Sequence, residues 1–196
     1  MRWVVTSFLV VLLAAAPCLA VPSFIAPFTG STTVNFESFT NGDLISNQLQ
    51  ASQGISFSSA LGGIYANDSY IATVGSTMNA TSFQQVCPCV PVTYTWTNPI
   101  TMVGFVLGTN AGTTIFDLSS GQLTMNSPQF PQLSNIYIGD PGGFTSLKIT
   151  APSNNAFVTD NITFDGAAAV PEPATALLLG GGAVGLALVR RRLVRK

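Results

Sequence analysis

Short alternating runs fill the middle of the chain, and a longer, mostly apolar run lies near each end, the first broken only by Thr6 and Ser7. The clearest alternation is Val92-Thr93-Tyr94-Thr95-Trp96-Thr97. A period of two puts Val92, Tyr94 and Trp96 on the buried face of a strand and the three threonines on its solvent face. Residues 102–107 are apolar on both faces, as in a central strand. Further strands are predicted at 33–36, 54–58, 70–74, 81–85, 113–118, 135–139, 144–150 and 161–164. Asn98-Pro99, Gly108-Thr109-Asn110-Ala111-Gly112 and Asp140-Pro141-Gly142-Gly143 read as turns between them. No stretch of helical period interrupts the series. The expected fold is all-β, a β-sandwich or jelly roll over residues 21–166. Its core is expected to hold Val34, Phe36, Ile55, Phe57, Val103, Phe105, Leu107, Ile136, Ile138, Leu147, Ile149, Ile162 and Phe164.

The two apolar runs predict helices of another kind. Arg2 precedes an apolar stretch at 4–16, and Cys18 and Ala20 put small residues at −3 and −1 of a cut before Val21. Residues 1–20 therefore read as a signal helix that is removed on export. Near the other end, residues 174–189 form a sixteen-residue apolar run diluted by Gly180, Gly181, Gly182 and Gly185. At about 1.5 Å per residue it reaches roughly 24 Å, short of a ~30 Å hydrocarbon core. It reads as a marginal transmembrane helix, suited to a transient anchor. Arg190, Arg191, Arg192, Arg195 and Lys196 follow as a cytoplasmic stop-transfer tail over 190–196. Residues 167–173 are a linker that includes Val170-Pro171-Glu172-Pro173. With a signal peptide in front, residues 21 to about 170 lie across the membrane from that tail. A permanent anchor is the alternative reading of the same helix.

Val170-Pro171-Glu172-Pro173, the glycine-rich apolar run and the terminal arginines together resemble a PEP-CTERM sorting signal. The resemblance implies an exported protein of a Gram-negative, exopolysaccharide-producing bacterium. It implies passage through the inner membrane and processing near Pro171, Glu172 and Pro173 by an exosortase, a membrane transpeptidase. The destination it implies is the cell surface or the extracellular space. The same tail is sometimes labelled an ice-binding C-terminal domain, a label that says nothing about ice here. A looser resemblance runs through Val34-Asn35-Phe36-Glu37, Gly54-Ile55-Ser56-Phe57, Val103-Gly104-Phe105 and Asp160-Asn161-Ile162-Thr163-Phe164. These segments are similar to galactose-binding-like jelly rolls of carbohydrate-binding modules, and to exported sandwich domains that precede PEP-CTERM tails.

Charge narrows the function. Between Val21 and Val170 Lys148 is the sole base, against seven acids: Glu37, Asp43, Asp68, Asp117, Asp140, Asp160 and Asp165. A nucleic-acid partner needs a basic face, and this domain has none. The chain has no histidine, which excludes histidine-based triads and histidine-ligated metals. Glu37 is the sole glutamate of the exported segment, and no Gly-x-Ser-x-Gly elbow occurs. No residue is assigned a catalytic role. The expected function is a non-catalytic one, structural or weakly glycan-binding, with exopolysaccharide as a partner. A carbohydrate-active enzyme or a specific lectin on the same sandwich is the alternative.

Three groups of residues carry other chemistry. The carbohydrate-binding resemblance implies a structural Ca²⁺ held by an early Glu and a late Asp, which would be Glu37 and Asp160; a surface acid and an Asx cap are the plainer reading. Otherwise no cofactor is expected. Cys87 and Cys89 are the cysteines left after signal removal. Two residues apart on an extended segment, they share a face, so a strained local disulfide and free or intermolecular thiols both stay open. Tyr65, Tyr70, Trp96 and Tyr137 offer flat rings for sugar stacking, or ordinary packing. Thr93, Thr95 and Thr97 read as the solvent face of one strand.

Overall fold

The computed structural model describes residues 21–70, 76–82 and 90–166. The expected signal helix, residues 71–74 of the strand expected at 70–74, residues 83–85 of the strand expected at 81–85, Cys87, Cys89 and the whole of the linker, transmembrane helix and basic tail lie outside the described residues. Among the described residues no helix is long and apolar enough to cross a membrane. The fold is all-β. Among the described residues eleven strands form one hydrogen-bonded sheet: β1 (Ser23–Phe24), β2 (Thr32–Val34), β3 (Leu44–Ile45), β4 (Ile55–Ser59), β5 (Ile64–Asn67), β6 (Asn79–Thr81), β7 (Val92–Thr109), β8 (Gly112–Leu118), β9 (Gly121–Ser127), β10 (Ser134–Thr150) and β11 (Phe157–Gly166). One helical turn, α1 (Gln50–Gln53), leads through Gly54 at φ +73° into β4.

The sheet is folded over by its two long strands. The first half of β7 pairs with β4 and with the second half of β10, and the second half of β10 also pairs with β8. With β9 these make layer one, in the order β4-β7-β10-β8-β9. The second half of β7 pairs with the first half of β10 and with β11, and β1, β2, β6, β5 and β3 complete layer two. A straight strand would place Tyr94 and Phe105 roughly 36 Å apart at about 3.3 Å per residue. Their rings lie 6.0 Å apart, so β7 doubles back and its halves face each other across the core.

This corrects two expected turns. Asn98-Pro99 and Asp140-Pro141-Gly142-Gly143 do not end their strands; β7 runs through the first and β10 through the second. They act as corners. Pairing jumps from Gly139↔Met102 to Phe144↔Ile100 and then to Ser146↔Thr95. Extra residues on alternate strands bend the ladder, as bulges do. The inward positions of β7 change parity across the corner, from Val92, Tyr94 and Trp96 to Val103, Phe105 and Leu107. Gly143 takes φ +76°, where a side chain is strained. Asp140, fully buried, accepts from the Ser120 hydroxyl and from the Gly142 N–H at 2.8 Å.

Every residue expected in the core is buried. Aromatic rings join the layers: Trp96 meets Phe144 and Phe164 edge-on at 5.6 and 5.9 Å, and Phe105 meets Phe116 at 6.1 Å. Such pairs add about 0.5–1.5 kcal/mol each beyond area burial. Burial also pushes the Tyr94 phenol above its usual range.

Candidate functional site

The outer face of layer two carries an aromatic platform. One cross-strand row reads Thr33, Thr163, Gly104 and Tyr137, from β2 through β11 and β7 to β10. Gly104 faces outward because its neighbours Val103 and Phe105 point into the core. With no side chain there, the Tyr137 ring leans across β7. A Cβ at residue 104 would sit 2.6 and 2.8 Å from its Cδ1 and Cε1. The Thr163 methyl lies 3.1 Å from the same point, on the β11 side. Phe28 stands edge-on to Tyr137 at 6.0 Å. Tyr137 and Phe28 are both half-buried, so each keeps some surface in water.

Polar groups surround the platform. The Thr163 hydroxyl accepts from the Gly30 N–H at 3.1 Å and from the Thr33 hydroxyl at 3.4 Å. The Asp165 carboxylate accepts from the Ser31 N–H at 2.7 Å. Lys148 lies in layer one, in a row with Thr93 and Asp117, so this face has an acid and no base among its described residues. A flat ring bordered by neutral hydroxyls can stack on a sugar and hydrogen-bond its hydroxyls.

The other aromatic candidates sit elsewhere. Trp96 is 2% exposed in the core. The half-buried Tyr65 donates to the Leu61 carbonyl at 3.4 Å. Tyr70 is 39% exposed and meets Phe130 edge-on at 6.0 Å. Thr93, Thr95 and Thr97 lie on the outer face of layer one, where Ser56, Ser58 and Ser146 flank them in register.

Glu37 and Asp160 occupy unlike environments. Glu37 is exposed, and its carboxylate clasps the 76–78 segment. It accepts from the Ser76 hydroxyl at 2.6 Å, the Thr77 N–H at 3.0 Å, the Thr77 hydroxyl and the Met78 N–H at 3.3 Å. These donors, Ser76 first, hold its pKa down at about 2. Asp160 is fully buried opposite Val106, beside a bulge at which Asn161 takes φ +51°. Among the described residues no three His, Cys, Asp or Glu side chains cluster to hold a metal.

Phe28, Gly104 and Thr163 were not singled out from sequence. Gly104 carried a usable signal: a glycine inside an apolar strand marks a close approach of something to the backbone. Nothing local marks Phe28, which reaches Tyr137 across more than a hundred residues of chain.

The PEP-CTERM protein-sorting motif matches residues 169–192, which include Val170, Pro171, Glu172, Pro173 and Arg190 to Arg192. The chain therefore carries the signal of an exosortase-sorted exported protein, associated with the membrane in transit to the cell surface. No curated protein matches the chain. Among solved structures, it is similar to the family 11 carbohydrate-binding module of a cellulosomal cellulase of Clostridium thermocellum. That likeness has a TM-score of 0.37 and 12% identity, over 72% of this chain and 97% of that one. It is also similar to the enzymatically active domain of tailspike protein 4 of bacteriophage CBA120, with a TM-score of 0.37 and 13% identity over 66% of this chain. The match spans 21% of that domain's chain.

Proposed function

We propose that the exported domain is a non-catalytic, jelly-roll sandwich that holds neutral glycan weakly at the cell surface or in an extracellular polysaccharide matrix. The observation that carries this reading is Tyr137 laid over Gly104 on a sheet face bordered by threonine hydroxyls. The sorting motif supports the location. Charge supports the choice of neutral over acidic glycan: the exported segment has one base against seven acids, so an anionic polymer is repelled. One stacking ring with a few exchangeable hydroxyl bonds corresponds to a Kd of order 1 mM, about 4 kcal/mol.

Affinity electrophoresis of the exported protein in gels cast with neutral glucans or with acidic polysaccharide tests the reading. Retardation is expected in at least one neutral glucan and not in the acidic gel. Tyr137→Ala is expected to abolish it without changing far-ultraviolet circular dichroism. Equal retardation of the variant would contradict the platform, and release of reducing sugar would favour the enzyme reading instead.

A further inference from the structure

One margin of layer one is β9, Gly121–Ser127, which pairs with β8 on one side and, among the described residues, with no strand on the other. Its ladder with β8 runs through all seven residues without a shift. Edge strands of soluble proteins are ordinarily blunted by charge, proline, a bulge or shortness. Gly-Gln-Leu-Thr-Met-Asn-Ser has no charge, no proline and no bulge. It also leaves apolar surface at the seam. Leu123 and Met125 pack against the core yet are only half-buried.

We infer that β9 is an interface for a second copy of this chain, joined edge to edge in antiparallel register about Thr124. The strand is complementary to itself in that register and reads as a palindrome of side-chain type. Thr124 meets Thr124 of the second copy. Leu123 meets Met125, and Gln122 meets Asn126. The four apolar side chains then cover one another on the inner face, where each is now exposed in part. On the outer face amides and hydroxyls pair with no charge opposed. Gln122 already donates from Nε2 to Asp117 at 2.5 Å, which leaves its Oε1 to accept from the second copy's amide. A slip of one residue would turn Leu123 and Met125 to the solvent side, so the apolar pair fixes the register. Layer one becomes continuous through two copies. One seven-residue strand pair is smaller than the roughly 1,600 Å² of a standard interface, so the dimer is reversible and forms where the chain is concentrated.

Cysteine cross-linking in the full chain, with Cys87 and Cys89 replaced by serine, tests the register in the cell that exports it. In this register the two copies of residue 124 have Cα atoms about 4.5–5.5 Å apart, within disulfide range, whereas two copies of residue 122 are separated by roughly 14 Å. Mild oxidation should give a dimer with Thr124→Cys, none with Gln122→Cys alone, and a dimer when Gln122→Cys and Asn126→Cys chains are co-expressed. Sedimentation of the otherwise unchanged chain should show a concentration-dependent dimer that Thr124→Lys removes. Thr124 is exposed, so that change leaves the fold in place. Absence of a Thr124→Cys dimer overturns the inference. So does cross-linking of Gln122→Cys alone to the same extent, which would mean random collision or another pairing.

Discussion

Glu37 shows how one exposed side chain ties distant parts of the chain together. Its carboxylate takes four hydrogen bonds from Ser76, Thr77 and Met78 and keeps its pKa near 2 against an ordinary 4.5. A group whose folded pKa is depressed contributes stability that is complete above pH 4.5 and is lost as the pH falls toward 2. Glu37→Gln is therefore expected to lower the melting temperature at pH 6 and to flatten its fall between pH 4.5 and 2, as read by thermal melts at a series of pH values. An unchanged acid limb would refute the clasp. Gly104 makes the converse case, because there the absence of a side chain matters. Gly104→Val must displace the Tyr137 ring, and overpacking of this kind costs about 1–3 kcal/mol. The variant is expected to lose stability and glucan retardation together, whereas Tyr137→Ala loses the retardation first.

At the scale of the element, the corners decide the architecture. Asp140 is buried, and its carboxylate organises the turn-like residues that carry β10 from one layer to the other. Asp140→Ala leaves the Gly142 N–H and the Ser120 hydroxyl without their acceptor, at a cost of about 1–3 kcal/mol. Trp96, wedged between Phe144 and Phe164 beside the corner, is expected to cost about 3–5 kcal/mol on truncation to alanine. Both values can be measured by urea denaturation. The same corners mark the limit of sequence reading. Alternation at 92–97 and the apolar run at 102–107 showed the two halves of β7 and their inward residues, but as separate strands. Asn98-Pro99 showed that the chain bends. Whether a bend closes a hairpin or carries one strand into a second layer depends on which distant strands pair with each half, and that is not local information. β9 escaped notice for a related reason: Leu123 and Met125 are two modest apolar residues in a polar hairpin, too few for a period to stand out. The Tyr137 platform was half legible, since the ring was a candidate and the glycine beneath it is a cross-strand neighbour.

For the whole molecule, the pairing sets both ends of the described domain at one end of layer two. Ser23, Gly139, Met102 and Asp165 form one cross-strand row, so β1 enters and β11 leaves about 14 Å apart, three strand spacings. Val21 is 70% exposed. The rows paired among the described residues all lie between Val21 and Gly166. On the proposed reading this sandwich is delivered by its sorting signal and trimmed at both ends. Intact mass of the exported protein from a Gram-negative host, with and without its exosortase, separates the outcomes. A chain beginning at Val21 and ending near Pro171 is expected only when the enzyme is present, with any added mass identifying an attached group. An unchanged C-terminus at Lys196 in both hosts would contradict processing and leave a sandwich held permanently in the membrane.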